Sequence, residues 1–155
     1  MLFIFIGQSC TGKSTVADKL KEYIDVEVYT GKDYLRIAQN ENEAWSLFHE
    51  MLSKAALDLN GENIVYLITE IEQLKKLNNI DGACTVKFSA SLDDIKARFA
   101  QRMNGKLPPP VEKMLERQYT EWQCIKGDLN VDTTDNDNVD KIVKDILHQL
   151  DHNFA

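Results

Sequence analysis

Apolar positions in this chain follow two rhythms that alternate from one end to the other. Residues 2–6 and 64–68 are continuous apolar runs, as strands buried on both faces require. Shorter runs at 26–29, 85–88 and 129–132 read as three more strands. Between them the spacing becomes helical. Trp45, Phe48, Leu52, Ala55 and Leu59 recur every three or four residues, which predicts a long amphipathic helix. Further helices are expected at about 13–23, 70–78, 92–103, 111–123 and 139–150. Strands alternating with helices predict an α/β fold, with a parallel sheet covered on both faces. In such sheets ligands bind beyond the carboxyl ends of the strands. The three prolines all fall in 108–110, within the densest loop signal of the chain at 104–110. That stretch lies between two helical patterns and reads as a lid tip or excursion rather than a domain linker.

Composition narrows the picture. With 155 residues, 43% of them hydrophobic and 28% charged, the chain has the profile of one globular domain spanning 1–155. A net charge of −7 argues against nucleic acid or an acidic membrane surface as partner, so an anionic ligand must be held by a local cluster of cations. Cys10, Cys84 and Cys124 are too few, too far apart and odd in number for a disulfide framework or zinc site, which points to the reduced cytoplasm. The apolar start at 1–6 is too short to span a bilayer, and it lacks the basic flank and cleavage site of a signal peptide.

The most specific chemistry follows the first strand directly. Gly7-Gln8-Ser9-Cys10-Thr11-Gly12-Lys13-Ser14, with Thr15 next, has two glycines four residues apart and then Lys and Ser. Glycines at these places let the backbone curl so that successive N–H groups converge on an anion at a helix N-terminus. Lys13 adds a point charge for the β- and γ-phosphates of a nucleoside triphosphate, and the Ser14 hydroxyl is a ligand for Mg²⁺. Gly7, Ser9, Cys10, Thr11, Gly12, Lys13, Ser14 and Thr15 are therefore the candidate nucleotide-binding residues. Cys10 has two readings, a small filler of the loop or a thiolate favoured by Lys13 and nearby dipoles.

Arginine is the second signal. The chain has four arginines against fourteen lysines, and Arg98, Arg102 and Arg117 lie within twenty residues. Arg98 and Arg102 are four apart and share one helix face, where Asp94 is also spaced to pair with Arg98. A planar guanidinium suits bidentate phosphate contacts and stacking on bases.

With these residues in view, the chain resembles the nucleoside-monophosphate kinase-like branch of P-loop kinases, which includes adenylate, cytidylate and shikimate kinases. The resemblance implies a three-layer α/β/α P-loop NTPase fold, sheet order 2-3-1-4-5, with a short lid at about 98–120. Residues 91–102 resemble the helix leading into that lid, which implies that Arg98 packs on the ATP base and Arg102 contacts phosphate. Glu116-Arg117-Gln118 resembles the returning helix, whose arginine reaches the transferred phosphoryl group. Residues 131–135, ending at Asp135, resemble the closing strand and adenine-side loop. Thr30-Gly31-Lys32-Asp33-Tyr34-Leu35-Arg36 resembles a segment in which the Asp orients the acceptor's proton and the Arg holds an acceptor anion. Asp33 reads equally as the N-cap of the next helix. Many relatives carry an Asp directly after the third strand that aids Mg²⁺ through water. Here Glu70 is the substitute, unless it is simply an acidic first turn. His49 and Glu50 on the adjacent helix read as surface residues.

The resemblance implies an ATP- and Mg²⁺-dependent phosphotransferase acting on a nucleotide or other small-molecule acceptor, as monomer or homodimer. Lys13, Asp33, Arg102 and Arg117 would be catalytic, with Asp33 and Arg36 binding the acceptor and Ser14 and Glu70 serving the metal. The alternative is a P-loop nucleotide-binding module or slow NTPase switch without kinase activity. The Asn-Lys-x-Asp stretch that guanine-specific GTPases use for the base does not occur.

Overall fold

A computed structural model of the chain describes residues 1–58, 60–134 and 138–153. Leu59 and Asp135, assigned above to the long helix and to the loop after the last strand, lie outside the described residues. Five strands, β1 (Leu2–Ile6), β2 (Glu27–Thr30), β3 (Ile64–Ile68), β4 (Cys84–Ser89) and β5 (Leu129–Asp132), form one parallel sheet in the order β2-β3-β1-β4-β5. This is the expected 2-3-1-4-5 order. β1 is central, running in register with β3 from Leu2 opposite Ile64 to Ile6 opposite Ile68, and with β4 on its other side. β1 and β3 are buried at every residue, whereas the edge strands β2 and β5 have no fully buried residue.

The helices are α1 (Lys13–Leu20), α2 (Glu41–Leu57), α3 (Ile71–Leu77), α4 (Leu92–Arg102), α5 (Pro109–Trp122) and α6 (Val139–Asn153). On one sheet face Phe3, Phe5, Val65, Val86 and Phe88 pack with Val16, Leu20, Val143 and Ile146 of α1 and α6. On the other, Leu2, Ile4, Ile6, Tyr66 and Ile68 pack with Phe48 and Leu52 of α2, and with Tyr34 and Trp122. Each fully buried Phe or Leu contributes about 1.5–3 kcal/mol, so these two layers dominate the fold. α4 and α5 lie together over a smaller cluster of Cys10, Ala90, Ile95 and Leu115, and Lys96 bridges them to Glu112 and Glu116 at 3.1 and 2.8 Å.

Several boundaries differ from the sequence reading for local reasons. α1 ends at Leu20 rather than near Tyr23, because Glu22 N–H turns back to the Lys19 carbonyl. α2 starts four residues before Trp45, because the Asn40 side chain accepts from Asn42 N–H and Glu43 N–H. Pro109 and Pro110 begin α5 instead of lying in the loop, since the first turn of a helix needs no N–H from them. The connection between α4 and α5 is therefore only residues 103–108, closed where Gly105 N–H donates to the Ala100 carbonyl at 2.7 Å.

Gly7 and Gly105 both have positive φ, at 147° and 86°, but their surroundings differ. A Cβ on Gly7 would collide with the Phe88 carbonyl oxygen in the middle of the sheet, while one on Gly105 would meet nothing within 4 Å. Gly7→Ala is expected to cost about 3 kcal/mol or more and Gly105→Ala about 1 kcal/mol, read from denaturant midpoints. Equal losses would contradict this account of β1's exit.

Candidate active site

β1 runs straight into the loop at 7–12, and Gly12 at φ 92° hands the chain to α1. No side chain caps α1, so its first-turn amides remain donors for an anion. The loop's shape is fixed from within. Thr11 Oγ1 donates to the Gln8 carbonyl at 2.7 Å, and the Lys13 ammonium donates to the carbonyls of Gly7 and Gln8 at 2.7 and 2.8 Å. Ser14 and Thr15 are exposed on the first turn of α1, and Ser9 is half-buried.

Lys13 is only 6% exposed. Burial pushes its ammonium down to about 7; the Arg102 charge acts in the same direction and Cys10 against it. Between about pH 7 and the ordinary lysine value of 10.5, the unfolded chain holds a proton that the folded chain has lost. Stability from this group therefore rises with pH across that window, and below it the full penalty of a buried ammonium remains. Relative to Lys13→Met, the wild-type chain is expected to gain on the order of 2–3 kcal/mol between about pH 7 and 9.5 in denaturant unfolding. A pH-independent difference would contradict the burial.

Cys10, at φ 65°, turns into the small cluster under α4 and α5. Burial raises its thiol pKa, outweighing the opposing pull of Arg102, Lys13 and Arg98. Of its two readings, the structure supports the filler.

The loop after β5 closes over the loop at 7–12. Arg98 donates to the Cys10 carbonyl at 2.9 Å, to Thr133 Oγ1 at 3.1 Å and to the Thr133 carbonyl at 2.8 Å. Asp94 lies 3.9 Å from the same guanidinium. Thr133 Oγ1 donates in turn to the Thr11 carbonyl at 2.9 Å. A cavity of about 410 Å³ opens beside this junction, lined by Gly12, Thr15, Arg98, Arg102, Thr133 and Ile142 among others. A larger one, of about 750 Å³, is lined by residues of β1, α3 and the loops before β4 and β5, away from Lys13.

The sequence-predicted residues are thus brought together in part. Gly12, Thr15, Arg98 and Arg102 share one cavity wall, with Lys13 buried close by. Arg117 is not drawn into it. Its side chain is 70% exposed on α5 and lies 3.9 Å from Glu121. Asp33 accepts from Thr30 N–H at 2.8 Å and begins a 3-10 turn, Asp33–Arg36, that hydrophobic spacing did not announce. That bond closes the exit of β2, and Lys32 holds the N-cap position, which corrects the N-cap reading of Asp33. Arg36 is exposed at the end of the turn. Glu70 is exposed at the N-cap of α3, where its backbone φ of −102° is extended and its side chain makes no cap bond.

Three residues to which the sequence reading gave no individual role set this geometry. Thr133 is the junction itself. Gln8 Nε2 donates to the Leu115 carbonyl at 2.8 Å, and Lys87 Nζ donates to the Trp122 carbonyl at 2.7 Å, so two tethers hold α5 against the sheet. Such pairings join residues 35–107 positions apart and leave no local pattern to read.

The fold these elements define is that of the P-loop kinases. Solved structures sharing it include the YorR protein from Bacillus subtilis in complex with phosphorylated GDP, at 22% identity and TM-score 0.63, covering 100% of this chain and 99% of that one. Shikimate kinase from Bacteroides thetaiotaomicron matches at 14% identity and TM-score 0.61, covering 97% and 98%. A gluconokinase from Sinorhizobium meliloti matches at 15% identity and TM-score 0.58, covering 97% and 91%. No protein-family model and no curated protein sequence matches the chain. No described helix is long and apolar enough to cross a membrane.

Proposed function

We propose that this chain is an ATP-dependent phosphotransferase that moves the γ-phosphoryl group to a nucleotide or other small-molecule acceptor. In this reading it works as one domain over 1–155, with a lid at about 98–120. One observation carries the proposal. A positive-φ loop, an uncapped helix N-terminus, a buried Lys13 and a wall holding Arg98 and Arg102 converge at the carboxyl end of β1.

The roles follow from charge. Phosphoryl transfer needs little covalent work from a protein, so positioning and neutralisation of the passing group dominate. Backbone amides of 7–14 and Lys13 hold the triphosphate, Arg98 and the cavity beside Thr133 take the base, and Arg102 meets the transferring group. Arg117 joins it by rotating away from Glu121. With α5 tethered by Gln8 and Lys87, residues 103–108 are the part of the lid left to move. Asp33 orients the acceptor's proton, and Arg36 holds an acceptor anion.

The donor set fits Mg²⁺ carried in by the triphosphate oxygens. Ser14 offers an exposed hydroxyl and Glu70 a carboxylate for contact through water, both hard oxygen donors. No described group of three or more His, Cys, Asp or Glu forms a site from protein alone. When bound, the ion offsets charge on the β- and γ-oxygens.

The test is ADP release from Mg-ATP with a panel of acceptors. Shikimate and gluconate enter it from the names of the kinases sharing the fold, and guanine nucleotides from the ligand of the YorR protein. Nucleosides and other nucleoside monophosphates complete it. At least one acceptor is expected to raise release about tenfold or more over background hydrolysis. Release that no acceptor changes would favour the slow NTPase or binding module instead.

A further inference from the structure

Resting on the nucleotide reading above, we infer that Thr133 is a positioning residue that sets the anion-binding shape of the loop from outside it. Thr133 is 5% exposed, and its N–H, hydroxyl and carbonyl all take part in hydrogen bonds. Its N–H donates to the Ser89 carbonyl at 2.8 Å, its hydroxyl donates to the Thr11 carbonyl at 2.9 Å and accepts from Arg98 at 3.1 Å, and its carbonyl accepts from Arg98 at 2.8 Å. The Ser89 carbonyl is a second, longer acceptor for the hydroxyl at 3.2 Å. The methyl group faces Gly12, where an added Cβ would lie 3.4 Å from it.

The consequence follows from peptide geometry. In a trans peptide the C=O and the following N–H point in opposite directions, and the described backbone has no cis bond. Arg98 holds the Cys10 carbonyl and Thr133 holds the Thr11 carbonyl on the outer side of the loop. The amides of Thr11 and Gly12, sharing those two peptide planes, are thereby turned to the opposite side, toward the hollow of the loop. Thr133 thus does more than line the cavity for a base. It fixes one phosphate donor directly and a second through its two bonds to Arg98, while Thr134 Oγ1, accepting from Ser91 N–H at 2.7 Å, holds the neighbouring turn to α4.

Calorimetric titration of the full chain separates these roles, using Mg-ATP and inorganic tripolyphosphate, which has no base. Thr133→Val keeps the shape and loses the hydroxyl. It is expected to weaken both probes by about tenfold or more, the loss typical of a buried hydrogen bond in a charged network. Thr133→Ser should recover both to within about threefold. Loss confined to ATP would overturn the inference by reducing Thr133 to a wall of the base cavity, and so would unchanged affinity for both. Should Thr133→Val fail to fold, Thr133→Ala compared with Thr133→Ser reads the same difference without added bulk. A purely structural role would lower the melting temperature and leave both affinities of the folded protein unchanged. A wild-type chain binding neither probe would overturn the nucleotide reading itself, a result distinct from all of these.

Discussion

Replacing Lys13 by methionine is expected to lower phosphoryl transfer at least a hundredfold and to weaken Mg-ATP binding, without unfolding the chain. The substitution keeps the length and most of the volume of a side chain that is almost fully buried. It removes a cation whose burial is unfavourable: the ammonium is pushed to about 7 although it donates to two carbonyls. A triphosphate brought against Nζ reverses that imbalance, because a neighbouring negative charge favours the charged lysine. The stabilisation is greatest where charge builds on the transferring group, in a site shielded from water, and removing one such group costs about 3 kcal/mol or more of barrier. Turnover within tenfold of wild type would contradict the role given to Lys13. Loss of the folded baseline in circular dichroism would contradict the expectation that the fold survives.

Arg102→Ala should give the complementary result, with turnover falling about a hundredfold or more and ATP affinity changing less than about threefold. Arg98 and Arg102 lie one helical turn apart but are used differently. Arg98 is committed to Cys10 and Thr133 by three hydrogen bonds. Arg102, the last residue of α4, is exposed on the wall of the same cavity, close enough for its charge to act on Lys13 and Cys10. A guanidinium not already spent on the protein can meet charge as it develops, and such an interaction appears in turnover rather than in binding. Equal losses in both would mean that Arg102 holds ground-state phosphate instead. Steady-state rates and calorimetric affinities on the same preparation decide between them.

What the sequence made legible, and what it concealed, divides along physical lines. β1 and β3 were readable to the residue because strands buried on both faces leave unbroken apolar runs. The bounds of β2, at the sheet edge, and of β4, beside β1, differ from the sequence pattern by one residue at each end, since partial exposure blurs their pattern. The loop from Gly7 to Ser14 was legible because its backbone conformation demands glycine at fixed positions, and Gly7 has no room for anything larger. The 3-10 turn at Asp33 was not, because it rests on a bond from Thr30 N–H to a carboxylate that no hydrophobic spacing encodes. Arg98 stands out in the sequence by residue type and spacing and lies on the cavity wall, but its partners leave no sequence signal. They arise where the loop, the end of β4 and the end of β5 meet, from Cys10 to Thr133, and only the folded sheet brings them together.

The same distinction applies to α5. Its arginine, Arg117, stood out by residue type, yet the residues that fix the helix are Gln8 and Lys87, ordinary polar side chains in strand and loop. Both donate to helix carbonyls, and Lys87 takes the one at Trp122, the last residue of α5, where a cation is favoured by the helix dipole. Burial lowers the pKa of Lys87, as expected for an ammonium partly withdrawn from water to make that bond.

The proposed activity requires the amides of residues 7–14 to grasp a polyphosphate. Amide chemical shifts in ¹⁵N-labelled protein, followed while Mg²⁺ and a non-hydrolysable ATP analogue are added, address those groups directly. The largest displacements are expected at Gln8 through Thr15, with smaller ones at Thr133 and Thr134, and Lys13→Met should suppress them. If millimolar analogue left these resonances in place, the loop would not be a phosphate site and the proposed activity would have no foundation.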